Sequence, residues 1–385
     1  MSFASIFFEG IMHLNIKKAI DLYIGGTLII VLRPIVILLG KLLKRDHSLI
    51  PQGDITIIKL LGGGSLVIGL PALYAIKKAY PHHKLQILTT KSIAPFAKTL
   101  HIFDEILILD DSSILKLLTS SLSGLKKLFR TDIIIDWEVY SRLTTIFALF
   151  SCARNRIGFY REDVKSRTNF STHLVFFNLY YGSWYFYEEL SQLIGAQIPP
   201  YSEVRNHFKK FFPQQETKRS DAIKIGIGHS CSDLSKERML TAKEWEEVFI
   251  KNINPHKKYK VYFFGAPQDS SFSEKIIQQI KPKKLPIEFF DRCGKTKLAE
   301  SLQEMAQLDE FWAIDSALLH YARLMNLKML TFFGPTSPHS LLKPIPNINE
   351  TINYKQVHCS PCVHVTESPP CKGDNICIKN LFSQR

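Results

Sequence analysis

The chain has 385 residues, 45% hydrophobic and 22% charged, a globular composition that excludes wholesale disorder, collagen and a multi-span membrane protein. That length suffices for two domains, each burying its own core. Lys and Arg number 49 against 35 Asp and Glu, a net +14 that favours anionic partners: nucleic acid, acidic headgroups or phosphate-bearing substrates. No arginine-rich recognition helix, zinc-finger spacing or aromatic RNA-binding signature accompanies the charge, so nucleic acid is not an expected partner. The seven cysteines are odd in number and four crowd the C-terminal tail, which fits a reducing cytoplasm better than a secreted disulfide scaffold.

Residues 22–43 form an apolar run flanked by Lys17 and Lys18 before and by Lys44 and Arg45 after. Arg33-Pro34 interrupts it and should leave two shorter pieces. No small-residue cleavage site follows, so a cleaved signal peptide is not expected. A segment half-inserted in the bilayer interface, cations on headgroups, fits better than a full span or a packed soluble helix. Residues 48–54 read as a polar linker.

Residues 55–60 are a continuous apolar run, the mark of a strand buried on both faces. Glycines follow, then helical periodicity over 66–80, stopped at Pro81. Further apolar runs at 85–88, 106–109 and 133–135 alternate with helical stretches at 92–100 and 113–129, which predicts a parallel α/β sheet. Residues 196–221 are rich in Pro, Gln and charge and read as a domain boundary. The pattern then restarts: strands at 223–227, 259–264, 287–290, 311–314 and 329–333, with a helix at 242–252. Two Rossmann-like halves in tandem suggest a cleft between domains. The expected divisions are 1–50, 51–205, 206–345 and 346–385.

Loops after parallel strands are where such sheets bind ligands. The first is Gly62-Gly63-Gly64-Ser65. A dinucleotide fingerprint would need Gly where Val67 stands, and a P-loop would need Gly-Lys-Ser/Thr where the chain reads Gly69-Leu70-Pro71, so both fail on residues. A tight glycine turn that lets a substrate approach a helix N-terminus remains, beside a turn with no ligand. The second loop runs from Gly228 through Ser230, Ser232 and Asp233 to Lys236 and Arg238; hydroxyls, amides and two cations suit a diphosphate, and a solvated helix cap fits equally. The third holds Asp315, Ser316 and Ala317, with His320 one turn into the next helix.

Together these loops resemble glycosyltransferase family 9, the bacterial heptosyltransferase family. The matching residues are Ile57-Ile58-Lys59, Gly64-Ser65-Leu66-Val67 with Leu70-Pro71-Ala72-Leu73, Ile135-Asp136 with Ala153-Arg154-Asn155-Arg156-Ile157-Gly158-Phe159, Phe264-Gly265-Ala266-Pro267, Gly294-Lys295-Thr296-Lys297-Leu298, Asp315-Ser316 with His320, and Phe333-Gly334-Pro335-Thr336. The resemblance implies a GT-B fold, two Rossmann-like α/β domains facing across a cleft. It implies inverting transfer of a sugar, heptose among the candidates, from a nucleotide-sugar donor without a required metal. The anchored N-terminus and the cysteine tail resemble a membrane-anchored branch acting in lipopolysaccharide or other envelope glycan synthesis. The acceptor would be a lipid-linked oligosaccharide, reached at the cytoplasmic face of the bacterial inner membrane, with the protein peripheral or monotopic on an anionic surface.

Carried across by position, Asp315, Ser316, Ala317 and His320 would meet the donor's phosphates and nucleotide. Ser230, Ser232, Lys236 and Arg238 would complete the clamp, His320 and Arg238 through charged hydrogen bonds. Lys59, Gly63 and Gly64 would hold the acceptor. Two departures stand out: Ser65 replaces the Asp that the family commonly uses as base, and Ala317 replaces a Gly. Serine is too weakly basic to deprotonate a hydroxyl unaided. Asp136 and Glu138, two apart after the strand 133–135, are the expected replacement, facing the cleft as a pair, with Glu138 preferred for its reach. The alternative function is a non-catalytic sugar-nucleotide or glycan-binding relative that lost its base.

Cys359, Cys362, Cys371 and Cys377, with His364 nearby, resemble a four-thiolate zinc site in their opening spacing. A structural zinc and thiols that are simply packed or paired as disulfides both fit. No cofactor is expected for catalysis.

Overall fold

The computed structural model describes residues 14–383 apart from 179, 215–220, 233–234, 364, 367–368, 370 and 372–373. Asp233, His364 and the first thirteen residues of the expected anchor therefore lie outside the described residues. The chain divides into two compact units, Met1–Pro199 and Pro200–Arg385.

The first unit opens with α1 (Leu14–Ile20), a π-turn at Asp21–Gly25 and α2 (Gly26–Leu43). These make one continuous apolar helix over Ile16–Leu43, so the expected break at Arg33-Pro34 does not occur. Proline removes one backbone donor. Packing on both sides of it holds the helix: Ile29 is buried, and Leu32 and Val36 pack with it against Ile146 and Phe170. Both ends of the long helix are tied to the same unit. At the start, Lys17 pairs with Asp111, and the Asp21 carboxylate accepts from Ser141 Oγ (2.7 Å) and from the backbone N–H of Arg142 and Leu143 (2.9 Å each). Just beyond its end, Arg45 Nη1 donates to the Cys152 carbonyl at 3.0 Å, and His47 Nδ1 lies 2.6 Å from that of Arg154.

The sheet domain then follows as β1 (Ile55–Ile58), α3 (Gly63–Ile68), α4 (Leu70–Ala79), β2 (Leu85–Thr90), α5 (Ala94–Thr99), β3 (Glu105–Leu109), α6 (Ile114–Lys127), β4 (Ile133–Asp136), α7 (Arg142–Phe150), β5 (Asn155–Tyr160), β6 (His173–Phe176) and α8 (Ser183–Leu193). The six strands are parallel in the order β3-β2-β1-β4-β5-β6. β1, β2 and β4 are buried along their whole length, as continuous apolar runs covered on both faces require. The expected helix 66–80 is two helices, broken at Gly69, where the Trp137 ring sits 2.5 Å from the position a Cβ would take.

The second unit runs α9 (Tyr201–Lys209), β7 (Ala222–Gly228), α10 (Ala242–Asn252), β8 (Lys258–Phe263), α11 (Ser270–Ile280), β9 (Ile287–Asp291), α12 (Leu298–Met305), β10 (Glu310–Ile314), α13 (Ala317–Met325), β11 (Lys328–Phe333), α14 (Pro338–Leu341), β12 (Glu350–Tyr354) and α15 (Ile376–Phe382). Its strands are again all parallel, β12-β11-β10-β7-β8-β9. The break precedes the expected position at 205/206, because α9 belongs here: Phe208 packs 5.7 Å from the Tyr321 ring of α13. The C-terminal residues are not a separate piece either. β12 extends the sheet, and Cys377 and Ile378 of α15 sit in the core with Trp245 and Phe332.

Candidate active site

In the second sheet the strand order reverses between β7 and β10, which pair with Ala313 beside Gly228. The crevice outside such a reversal is where open α/β sheets hold ligands. Arg238 joins the two loops that border it. Its Nη1 donates to Asp315 Oδ2 at 3.3 Å and its Nε to the Ser235 carbonyl at 3.1 Å. Asp315 ends the β10 loop, Ser316 is the residue before α13, and Ala317 is the first residue of that helix.

Ser316 is extended, as an N-cap should be, yet its hydroxyl does not cap the helix. That Oγ is buried with no partner among the described residues, and so is Thr336 Oγ1 in the loop after the neighbouring strand β11. Buried hydroxyls are almost always paired, and the first amides of a helix need an acceptor from outside it. Two orphaned hydroxyls, a helix N-terminus and Arg238 together match an oxygen-rich anion such as a diphosphate.

His320 lies one turn into α13 and is buried. Burial pushes its pKa down to about 4, although the Asp315 charge pulls the other way. It is therefore neutral near pH 7, and the expected charged hydrogen bond from His320 is corrected to an uncharged one. The rest of the expected clamp is only partly assembled. Ser230 Oγ donates to Asp269 Oδ2 at 2.8 Å, which also accepts from the Ala266 N–H, so Ser230 braces the turn after β8. Ser232 and Lys236 are exposed.

The first sheet reverses between β1 and β4, and a buried ion pair sits there. Lys59 Nζ donates to Glu138 Oε1 at 3.0 Å. The same oxygen accepts from the backbone N–H of Leu60 (2.7 Å) and Leu61 (3.0 Å). Glu138 thus fixes the chain that leads into the glycine loop, and Lys59 is engaged with it rather than open to an acceptor. Burial pulls the Lys59 ammonium down, and the Glu138 charge and hydrogen bond, with Tyr187 and Asp136, together more than offset this, leaving its pKa above the ordinary value. Gly62 takes φ +75°, which favours glycine, and Gly63 is buried with the Phe96 ring 2.4 Å from its Cβ position, so these two serve the turn itself. Gly64 and Ser65 fall in the first turn of α3.

Asp136 and Glu138 are engaged by different partners. β4 ends at Asp136, so the two-residue alternation does not extend to Glu138. Asp136 Oδ2 accepts from Arg167 Nη2 (2.6 Å) and Thr144 Oγ1 (2.7 Å), and its Oδ1 from the Glu138 N–H (3.0 Å). Burial raises its pKa to about 6 despite the Arg167 charge.

The tail cysteines are the candidate site for a metal. Among the described residues no group of three or more His, Cys, Asp or Glu is placed to hold one, and none of the seven cysteines is paired in a disulfide. Cys371 Sγ lies 2.9 Å from Asn375 Oδ1, and burial pushes the Cys377 thiol up to about 11. A thiol packed in an apolar core resists the ionisation that metal binding needs.

The family model described as glycosyltransferase family 9 (heptosyltransferase) matches residues 177–372, half of the chain. The chain belongs to glycosyltransferase family 9. It is a glycosyltransferase with a GT-B fold. Lipooligosaccharide heptosyltransferase 2 of Campylobacter jejuni is 22% identical over 243 residues, 60% of this chain and 75% of that one. The protein of the same name from Haemophilus influenzae is 34% identical over 80 residues, 21% of this chain and 23% of that one. The solved structure of Escherichia coli ADP-heptose lipopolysaccharide heptosyltransferase II superposes with a TM-score of 0.58 at 15% identity, covering 80% of this chain and 92% of that one. A family 9 glycosyltransferase from Veillonella parvula gives 0.60 at 17% identity, covering 80% and 87%. At these identities the superpositions speak for the fold.

Within the family 9 chain, sequence reasoning assigned no role to Arg167, Asp269 or Thr336. Arg167 and Asp269 meet Asp136 and Ser230 through contacts far along the chain. Thr336 had a signal, standing in the loop at the end of the predicted strand 329–333.

Proposed function

We propose that this glycosyltransferase moves heptose from ADP-heptose to a lipid-linked oligosaccharide at the cytoplasmic face of the inner membrane. Relatives carry those substrates in their names, a lipooligosaccharide heptosyltransferase and an enzyme of ADP-heptose. The observation that carries the donor site is the uncapped N-terminus of α13, with the unpartnered hydroxyls of Ser316 and Thr336 beside Arg238. In this reading the α13 amides and Arg238 take the diphosphate and stabilise it as it leaves. Fixed dipoles and a cation stabilise the negative charge that develops on departure. Neutral His320 contributes a hydrogen bond, and no cofactor or metal takes part.

The acceptor belongs to the N-terminal domain in this reading, and Glu138 is its base. Among the described residues, the hydrogen bonds that the Glu138 carboxylate accepts fall on Oε1. Oε2 is left to take the proton of the attacking hydroxyl, while Lys59 holds the group in place. Asp136, tied to Arg167, supports the strand end.

The membrane association rests on the long N-terminal helix. It has the length and composition to cross a bilayer. Yet both its ends are tied to one compact unit and one stripe of its middle, Ile29 with Leu32 and Val36, packs on Ile146 and Phe170, which supports a helix lying along the interface.

The test is a turnover assay with ADP-heptose and truncated lipopolysaccharide as acceptor, following ADP release and heptose incorporation together. Incorporation that depends on both substrates supports the reading. Donor binding without incorporation on any lipid acceptor would instead assign a binding relative without a base.

A further inference from the structure

We propose that the N-terminal domain docks on anionic bilayer through a two-helix face, in which the leucine stripe of α6 enters the interface beside the outer side of α2. This rests on the membrane-associated reading above but adds a second, separate contact.

The first observation is what α2 leaves uncovered. Ile29, Leu32 and Val36 pack on the domain, while Ile30, Val31, Leu38 and Leu42 point outward and are 75%, 59%, 59% and 69% exposed. A helix that is apolar all round, yet bound on one stripe only, needs an apolar medium for the rest.

The second observation is α6. Leu117 and Leu125 pack on the core, but Leu115, Leu118 and Leu122 lie 57–72% exposed. Their spacing, i, i+3 and i+7, puts them on one stripe of the helix. Phe129 continues the apolar surface past the helix end at 56% exposure, with the Arg130 guanidinium 5.6 Å over its ring.

The third is that these two surfaces belong together. Both helices pack on α7: Gly124 of α6 lies against the Phe147 ring, and Ile29 of α2 against Ile146. Lys17, at the start of the long helix, pairs with Asp111, just before the Ser113 cap of α6. Right-handed crossovers also place α6 and α7 on the same side of the sheet, because β3 leads to β4 and β4 to β5 in one direction.

Charge identifies the occupant. Neither α2 nor α6 contains an Asp or Glu. Exposed Arg33, Lys41, Lys44, Lys116 and Lys126 lie on or just beyond the two helices. Apolar stripes with cations and no acids suit the headgroup boundary of an anionic bilayer, where the stems insert and the charges meet lipid phosphates. A second copy of the chain would bring the same cations against one another. Such docking would hold the domain that takes the acceptor against the surface from which a lipid-linked acceptor projects.

The experiment uses the full-length protein and phosphatidylcholine vesicles with and without phosphatidylglycerol. Leu115, Leu118 and Leu122 are changed together to Ser; all three are exposed, so folding is retained and is checked by melting temperature and ADP binding. Vesicle affinity should fall by at least about tenfold, since insertion scales with buried apolar area. In separate single variants, Leu118→Trp and Leu38→Trp should both be quenched by brominated lipid. Unchanged vesicle affinity in the triple variant, with Leu118→Trp unquenched and Leu38→Trp quenched, overturns the role of α6. A triple variant that turns a dimer into a monomer while keeping vesicle affinity overturns it in favour of contact between copies. Failure of ADP binding in the wild type would count against the donor site and leave the vesicle result standing.

Discussion

Lys59 and Glu138, 79 residues apart, meet at 3.0 Å as a buried ion pair where the first sheet reverses its strand order. The pair joins the end of β1 to the chain after β4, and Glu138 also holds the Leu60 and Leu61 amides. One side chain therefore has a structural task and a proposed chemical one, and the two can be separated. Glu138→Gln leaves a buried ammonium without its counter-charge and should destabilise the protein by about 3–5 kcal/mol. Adding Lys59→Met should restore much of the melting temperature. Turnover should stay at least about a hundredfold down in both, as loss of a general base requires. Recovery of turnover in the double variant would reduce Glu138 to a positioning residue. Ser65→Ala should keep most activity.

On the donor side, Arg238→Ala should weaken ADP binding by about 1.5–3 kcal/mol, measured by calorimetry. Ser316→Ala gives a sharper contrast. Its hydroxyl is buried without a partner among the described residues, so removing it should leave the melting temperature unchanged or raised. ADP affinity should nevertheless fall. A variant with lower stability and unaltered affinity would place the hydroxyl in the fold and not in the site.

His320 sets a pH dependence. Its pKa in the folded protein is about 4, below the 6.5 of an unhindered histidine. The unfolded chain therefore takes up the proton first, and folding stability is lost as pH falls from about 6.5 towards about 4. Asp136 works the other way. Raised to about 6 from 3.8, it takes stability away as pH rises through that window. Comparing wild type with His320→Gln cancels the Asp136 contribution. The wild type should lose more melting temperature than the variant between about pH 7 and about pH 4.5. Parallel curves would show that His320 is not held neutral.

Arg323 of α13 and Glu350 of β12 form a second buried pair at 3.1 Å, and Arg323 Nη2 also donates to the Lys343 carbonyl at 2.8 Å. Glu350 is thereby drawn to the helix, holding the edge strand β12 in place. Arg323→Met alone should cost about 3–5 kcal/mol in urea unfolding, and Arg323→Met with Glu350→Met should recover much of it. A loss as small as that of an exposed ion pair would contradict the burial.

Thiol labelling tests the tail. Cys359 is exposed and should react in the native protein, whereas buried Cys293 and Cys377 should react only on unfolding. Protection of all four tail cysteines, released by a chelator, would show a metal site that the described residues do not form.

Much of the fold was open to reading one residue run at a time. A strand buried on both faces is rich in apolar residues, so β1, β2 and β4 in the first sheet and β7, β10 and β11 in the second stand out in the chain. α10 announces itself by a capping box, Thr241 with Glu244. β5, β6 and β12 were invisible because they lie towards an edge and carry Arg156, His173 and Glu350 in place of a continuous run. Pro34 misled for the complementary reason. Its local cost is real, and contacts with Ile146 and Phe170, more than a hundred residues away, outweigh it.

Two parallel α/β units, the loops at their strand ends, the apolar N-terminal run and the family resemblance can be read along the chain. Each of these depends on composition and spacing within a short stretch. Which side chains those loops present is set by folding. It tied Lys59 to Glu138 and Asp136 to Arg167, turned Ser230 towards Asp269, left the Ser316 hydroxyl unpartnered, and made His320 neutral. Those outcomes rest on burial and on partners distant in the chain, which set the charge and the hydrogen bonds of a side chain and which no local pattern records.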